Sequence, residues 1–199
     1  MKRCLIIVDV QNDFLHGGAL AVPEGNEIIS FINAIQDQYD LVVATQDWHP
    51  SNHGSFAVNH QGKIPGEVIE LNGLEQILWP VHCVQNSYGA KFPKQLKVEL
   101  VQKVFIKGTD PSIDSYSGFF DNGKLQSTGL HDYLQSQGVG AVTIVGLAAD
   151  YCVKFTAMDA AELGYKVEVL RDGTRAVNLE PTDYEQSMQE MESVGIIVK

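Results

Sequence analysis

Cys152 ends the stretch VGLAADYC, residues 145 to 152, in which small and apolar residues precede a thiol. A cysteine thiolate is a strong nucleophile, but the ordinary pKa of the thiol, about 8.5, leaves little of it ionised at neutral pH. Catalysis would therefore need a nearby base or positive charge. Free cysteines are also common in protein cores, where they are usually inert. Taken alone, Cys152 fits packing better than catalysis.

Two other reactive side chains stand where short apolar runs end. Asp9 closes the first run, and Lys107 closes VFIK. Each has an ordinary alternative, a carboxylate that caps a neighbouring helix or turn and a solvated lysine. If both reach Cys152, the ammonium favours the thiolate and Asp9 accepts the thiol proton, which completes an activation scheme without histidine. Backbone amides at the helix start that carries Cys152 can then bind an oxyanion.

A second group of polar side chains has the types and spacing of metal ligands. Asp47 and His49 are two residues apart at the end of an apolar run, and His82 comes from a distant loop. Two close ligands and one remote ligand are usual in metal sites that keep open positions. Mixed histidine and carboxylate ligation suits zinc, iron or manganese. Four of the six histidines fall within residues 49–82, and His53 is either a further ligand or an outer group.

Aromatic side chains near these groups could wall a pocket for a flat ring, although core packing is the better interpretation of any single one. The set comprises Phe14, Trp48, Trp79, Tyr116 and Tyr151. The substrate pocket itself is predicted at three of them, Phe14, Trp79 and Tyr116. Cys83 adjoins His82, but adjacent side chains rarely converge on one metal, so packing is favoured for Cys83.

A sheet must position these residues. Continuous runs rich in Val, Ile and Leu are typical of parallel strands covered on both faces, and six such runs occur, at residues 4–10, 41–48, 104–107, 141–148, 166–172 and 196–199. Helices are expected over residues 26–38 and 150–163, and from Pro181 to about Val194. The pattern predicts a three-layer, doubly wound α/β fold with a mostly parallel six-stranded sheet, strand order 3-2-1-4-5-6 and helices on both faces. Ligands bind beyond the carboxyl ends of such strands, where Asp9, Asp47, Lys107 and Cys152 would meet.

The length of 199 residues fits one domain, residues 1–199, with a core of ordinary size. A long loop at about residues 49–93 is rich in Gly and Pro, shows little periodicity, and is expected to carry the metal site, because connections that long are usually functional. A formal charge of −11 opposes binding to nucleic acid or to an anionic membrane surface. The expected partner is a small molecule, and a homo-oligomer is left open.

Three cysteines, at positions 4, 83 and 152, cannot form an even disulfide framework. No apolar stretch approaches the roughly 20 residues that span a bilayer, and Asp9 interrupts the only apolar run near the N-terminus, so no export signal is expected. These features predict a cytoplasmic protein with reduced thiols.

The chain resembles the nicotinamidases, also called pyrazinamidases, of the isochorismatase-like cysteine hydrolases. The resemblance rests on motifs that follow one another in the order of that family: IIVDVQNDFLHGGAL, TQDWHPSNHGSF, WPVHCVQNSYGA, FIKG, DSYSGFFDN and VGLAADYCVKFTAMDAAELGYKVEVLRDG. Together they extend from about residue 3 to residue 180. This coverage is far more specific than any single motif.

The resemblance implies hydrolysis of nicotinamide to nicotinate and ammonia, a step of NAD salvage, with pyrazinamide as an adventitious substrate. It also implies one divalent metal ion, with zinc preferred over iron or manganese. A cis peptide bond between residues 147 and 148 is implied as well. The site residues that follow from it are the catalytic Asp9, Lys107 and Cys152, the metal ligands Asp47, His49 and His82, and an oxyanion hole formed by the N–H groups of Ala148 and Cys152.

Two alternatives remain beside this interpretation. One is a cysteine hydrolase of the same fold that acts on another amide or on a vinyl ether, although such relatives generally lack the DWH…H metal set. The other is a metal-binding or ligand-sensing module without turnover. The complete Asp, Lys and Cys set argues against the second alternative, because binding alone requires no nucleophile.

Overall fold

The apolar runs form the strands, and all but two of the strands lie in one parallel sheet. The computed structural model describes residues 1–199. Its strands are β1 (Lys2–Val8), β2 (Leu41–Asp47), β3 (Val68–Leu71), β4 (Leu74–Ile77), β5 (Lys103–Lys107), β6 (Val139–Leu147), β7 (Lys166–Arg175) and β8 (Ile197–Val198). The large sheet has the order β5-β2-β1-β6-β7-β8, and every neighbouring pair is parallel. Counted along the chain within this sheet alone, the order is 3-2-1-4-5-6.

Four α-helices connect the strands: α1 (Ile28–Ile35), α2 (Leu130–Ser136), α3 (Lys154–Glu162) and α4 (Asp183–Ser193). Short 3₁₀ turns flank α1, so the helical region spans residues 25–38, close to the predicted 26–38. A π-helical turn over Ala149–Val153 precedes α3 and carries Cys152. The last helix begins two residues after Pro181.

Both faces of the sheet carry an apolar core. Alternate side chains of β1 point to opposite faces, with Ile6 in a cluster of 23 buried residues and Ile7 in a cluster of 17. The larger cluster contains buried residues of α2, α3 and α4, and the smaller one contains buried residues of α1. These three layers confirm the predicted fold class. None of the helices has the length and apolar character needed to cross a membrane.

The connection between β2 and β5 has more regular structure than its sequence was expected to give. Strands β3 and β4 form an antiparallel hairpin around Asn72 and Gly73, whose φ angles are 52° and 81°. Two positive φ values are typical of a type I′ turn, for which Asn-Gly is the preferred sequence. The expectation of an unpatterned loop at residues 49–93 is therefore wrong for the hairpin. The Asn-Gly signal was present in the sequence.

Gly146, in the motif VGLAADYC, allows close contact between β6 and β1. Its φ is 121°, and a Cβ there would lie 2.0 Å from the carbonyl oxygen of Val8. Only glycine tolerates both the backbone conformation and the proximity. The end of β6 therefore lies directly beside the end of β1, where Asp9 begins the next turn.

Candidate active site and metal centre

The ammonium of Lys107 joins the polar side chains at the carboxyl edge of the sheet. Its Nζ lies 2.9 Å from Oδ2 of Asp9 and 3.4 Å from Sγ of Cys152. It also donates hydrogen bonds to Oδ1 of Asp47 and, at 2.8 Å, to the carbonyl oxygen of Ser115. Burial alone would lower the pKa of Lys107, but Asp47 and Asp9 outweigh it and raise that pKa well above its ordinary value. Lys107 is therefore a buried cation in contact with the other two predicted triad residues.

Asp9 presents two different carboxylate oxygens. Its backbone is left-handed, with φ of 47°, a conformation that Asp tolerates better than most residues and that turns the chain at the end of β1. Oδ1 accepts a 2.6 Å hydrogen bond from the hydroxyl of Thr45, whereas Oδ2 forms a 2.9 Å ion pair with the ammonium of Lys107. Burial raises the pKa of Asp9 to about 6, against the opposing effects of Lys107 and Thr45. An ionised carboxylate of that pKa suits a general base at neutral pH.

Cys152 is buried within the π-helical turn. Burial raises the pKa of its thiol well above the ordinary value, and the charge of Lys107 only partly offsets this. The expectation that Lys107 favours the thiolate holds in direction, but burial has the larger effect. The resting group is therefore a thiol, and a base must remove its proton as it attacks.

The backbone before Cys152 forms an irregular turn between β6 and α3. The Leu147–Ala148 peptide bond is cis, as the family resemblance implies. The carbonyl of Ala148 accepts hydrogen bonds from the N–H groups of Tyr151 and Val153, at 3.2 and 3.0 Å, and the N–H of Ala148 donates no backbone hydrogen bond. Ala148 and Cys152 line the same cavity.

Asp47, His49 and His82 converge as the metal-ligand prediction requires. Oδ2 of Asp47 lies 3.6 Å from Nε2 of His49 and 3.9 Å from Nε2 of His82. Nδ1 of His49 donates to the carbonyl of Gly108, and Nδ1 of His82 donates to the carbonyl of Pro80, each at 2.8 Å. These bonds place a proton on Nδ1 of each ring and turn both Nε2 atoms towards Asp47, the orientation in which metal-binding histidines are usually held. The donor set fits a divalent transition metal with open positions.

The charges around Asp47 favour the ionised, metal-binding form. Burial opposes ionisation, but Lys107 and His49 outweigh it and hold the pKa of Asp47 well below its ordinary value. Burial and the neighbouring His49 lower the pKa of His82 to about 4, so its imidazole is neutral at pH 7. Gln11, which the sequence did not single out, clamps the backbone of Asp47 through two hydrogen bonds of 2.8 Å.

His53 lies outside this donor set. Its ring is 4.3 Å from that of His49, centroid to centroid, and its Nδ1 contacts the hydroxyl of Ser55 at 2.7 Å. Its donor atoms group with those of His49 and Asp114 rather than with the Asp47, His49 and His82 set. Cys83 is fully buried in an apolar cluster, in agreement with packing.

An aromatic cavity opens onto both groups. Phe14, Trp79 and Tyr116, the three predicted pocket residues, line it together with Cys152 and all three metal-ligand candidates. Tyr151 lines it as well, whereas Trp48 packs against the smaller apolar core and is not a wall residue. The remaining members of the lining, which the sequence did not indicate, are Leu20, Asp114 and Val177.

Comparison with known proteins places the chain in a family. A model of the isochorismatase domain matches residues 3–199. The chain belongs to the isochorismatase family. Within that family it is 49% identical over 197 residues to the nicotinamidase of Escherichia coli strain K12, covering 97% of this chain and 92% of the relative. The predicted family resemblance is thereby confirmed.

Solved structures of isochorismatase-family enzymes share the fold over nearly the whole chain. The nicotinamidase/pyrazinamidase of Acinetobacter baumanii has a TM-score of 0.96 and 43% identity, covering 99% of this chain and 95% of that one. The pyrazinamidase of Pyrococcus horikoshii, solved in complex with zinc, has a TM-score of 0.80 and 38% identity, covering 100% and 99% of the two chains.

Proposed function

We infer that the chain is a nicotinamidase, a metal-dependent cysteine amidohydrolase that converts nicotinamide to nicotinate and ammonia and also hydrolyses pyrazinamide. The observation that carries this inference is the single aromatic cavity onto which the thiol of Cys152 and the donor set of Asp47, His49 and His82 both open. A flat ring with a carboxamide on one side and a ring nitrogen on the other matches such a two-ended site. The names of the relatives in Escherichia coli and Acinetobacter baumanii support the same activity.

Zinc is the proposed metal, held by Asp47, His49 and His82. The mixed donor set suits zinc, and the relative from Pyrococcus horikoshii was solved with that ion. When bound, the ion supplies a Lewis acid and a template for the ring nitrogen of the substrate. The ring lies between the aromatic walls, which directs the carboxamide towards Cys152.

Nucleophilic attack begins from the thiol. Asp9 accepts the proton through its carboxylate, which pairs with Lys107, while Sγ of Cys152 bonds to the carbonyl carbon. The charge of Lys107 stabilises the anionic sulfur during transfer. The N–H groups of Ala148 and Cys152 bind the oxyanion of the tetrahedral intermediate.

Collapse of that intermediate releases ammonia. Asp9 returns its proton to the departing nitrogen as the C–N bond breaks, which leaves a thioester on Cys152. Asp9, ionised again, then takes a proton from a water molecule that attacks the thioester carbonyl. The C–S bond breaks, the proton on Asp9 passes to Sγ, and nicotinic acid leaves and loses its carboxyl proton to solvent as nicotinate.

Further proposals concern the cellular compartment, the partners and the oligomeric state of the enzyme. The three free cysteines support a reducing compartment, and we place the enzyme in the cytoplasm. A small molecule is its partner in this scheme, with no role for nucleic acid or membrane. A homo-oligomer stays open. A hydrolase of the same fold with another amide substrate is the nearest alternative, and a panel of amides tested for ammonia release separates the two.

Nicotinate formation by the purified protein, measured before and after treatment with a chelator, tests the proposal. We expect nicotinate and ammonia in equal amounts, loss of both after chelation, and recovery with added zinc. Binding of nicotinamide without nicotinate production would support a sensing module instead. Full activity after verified removal of the metal would reject the metal's role while leaving the cysteine chemistry intact.

A further inference from the structure

The hairpin of β3 and β4 contributes a buried amide to the wall of the catalytic cavity. Gln76 lies on β4 with only 3% of its surface exposed. Its Nε2 is 3.1 Å from Oδ2 of Asp114 and 3.1 Å from the hydroxyl of Tyr116, and it also contacts the carbonyl of Ile77 at 2.7 Å. Asp114 and Tyr116 both line the cavity, whereas Gln76 does not. The amide therefore supports the wall from behind.

The aromatic part of the wall is joined to this amide. The hydroxyl of Tyr116 also accepts a 3.2 Å hydrogen bond from Nε1 of Trp79. Tyr151 packs against both rings, with centroids 4.9 Å from Trp79 and 5.4 Å from Tyr116. One hydroxyl therefore links two of the three rings, and the amide of Gln76 fixes the position of that hydroxyl.

Loss of this amide would act on the cavity wall, through the hydroxyl of Tyr116 and the carboxylate of Asp114, rather than on Lys107 or Cys152. Lys107 and Cys152 bond to none of the atoms of Gln76. Aromatic side chains such as those of the cavity wall have a broad distribution of χ2, the torsion about the bond to the ring, unless contacts restrict it. A flat ligand gains affinity when the surfaces on which it packs are already ordered. Fixing the rings therefore improves binding more than it improves the chemical step.

From this geometry we propose that Gln76 is a positioning residue, which holds Tyr116 and Trp79 in the orientation that binds the substrate ring and so determines how well the pocket selects that ring. The proposal rests on the proposed function for the identity of the ring. It also gives the β3–β4 hairpin, outside the main sheet, a direct part in substrate binding.

The test compares Gln76→Leu with wild type, because leucine keeps a similar size and removes both hydrogen-bonding groups. We expect KM for nicotinamide to rise about 5- to 20-fold while kcat stays within about threefold. Preference for nicotinamide over a ring-methylated analogue should fall. The rate at which iodoacetamide alkylates Cys152 should not change, because that thiol and its neighbours are untouched.

Two further variants exclude a general loss of structure. Glu75→Gln changes the exposed neighbour on the same strand and should leave KM unchanged. Tyr116→Phe removes only the hydroxyl, should reproduce the rise in KM, and should give no further increase when combined with Gln76→Leu. If Gln76→Leu fails to fold, Gln76→Met, which is also of similar size and also lacks the amide, provides the test.

Calorimetric titration of nicotinamide into each variant, in a Cys152→Ala background, measures binding without turnover. A weaker affinity in Gln76→Leu supports the positioning role. An unchanged affinity and KM in Gln76→Leu, or a fall in kcat alone, would overturn it. Absence of nicotinate formation by wild type would instead count against the proposed function, and the titration would still decide the role of Gln76.

Discussion

The two oxygens of Asp9 have separate roles at the scale of single residues. Oδ1 is held by Thr45, whose hydroxyl stabilises the ionised carboxylate, and Oδ2 pairs with the ammonium of Lys107. The type and order of Asp9, Lys107 and Cys152 were predictable because each follows an apolar run that is typical of a parallel strand. Thr45 was not, because a buried threonine in a strand is ordinary until its partner is known.

The hydrogen bond from Thr45 predicts a change in pH dependence. Asp9 must be ionised to act, so kcat/KM should fall tenfold per unit as the pH drops below the pKa of Asp9, about 6; a bound divalent cation nearby lowers that midpoint. Thr45→Val removes a bond to the charged form and should raise the midpoint by about one pH unit, since such bonds contribute roughly 1.5–3 kcal/mol.

Thr143→Val is the matched control for this experiment, because Thr143 is a buried strand threonine that bonds to Glu168 rather than to Asp9. Its pH profile should match that of wild type. If the midpoint of the acid limb of the kcat/KM profile is the same in Thr45→Val as in wild type, Asp9 is not the group whose ionisation limits the reaction.

At the scale of elements, the end of β5 links the two chemical groups. Lys107 is its last residue, and the next residue, Gly108, holds His49 through its carbonyl. Gly108 has φ of 62°, and a Cβ there would lie 2.4 Å from Cε1 of His49. The end of β5 was predictable from its apolar run. The requirement for glycine at position 108 was not, because it depends on the ring of His49, which belongs to the connection after β2.

Gly108→Ala should displace His49 and weaken metal binding about 10- to 100-fold, as loss of an outer contact to a metal-bound histidine typically does. Chelator competition measures the affinity. Gly164→Ala is the control, because Gly164 also has a positive φ, 89°, but a Cβ there would meet nothing within 4 Å. Equal metal affinity in both variants would contradict the role assigned to the Gly108 contact.

The hairpin shows where interpretation of the elements was incomplete. Asn72-Gly73 between VIEL and LEQI is a strong hairpin signal. The many Gly and Pro residues around it led to the whole segment being interpreted as one loop, so the alternation of apolar and polar residues in these two short strands was missed. The pocket residues Asp114 and Val177 could not be found in this way, because their positions depend on how distant loops pack. Trp48 packs against the smaller core, in agreement with the interpretation favoured for any single aromatic residue.

For the molecule as a whole, the fold brings every reactive group to one edge of a single sheet. Two apolar cores cover its faces, and the chemistry lies beyond the strand ends, where burial sets the pKa values of Asp9 and Cys152. A single domain over residues 1–199 is a proposal supported by this shared sheet. Fold class followed from strand composition alone, whereas the protonation state of Cys152 required the degree of burial that only the folded chain provides.

The central claim is that Cys152 forms the covalent intermediate of nicotinamide hydrolysis. Its most direct test is nicotinate formation by the zinc-loaded Cys152→Ala variant beside wild type, with the zinc content and the fold of both proteins verified. We expect wild type to form nicotinate and ammonia in equal amounts, and the variant to lose at least about a thousandfold in kcat, because no other group in the cavity replaces the nucleophile. Nicotinate formation by Cys152→Ala at a rate near that of wild type would contradict the account.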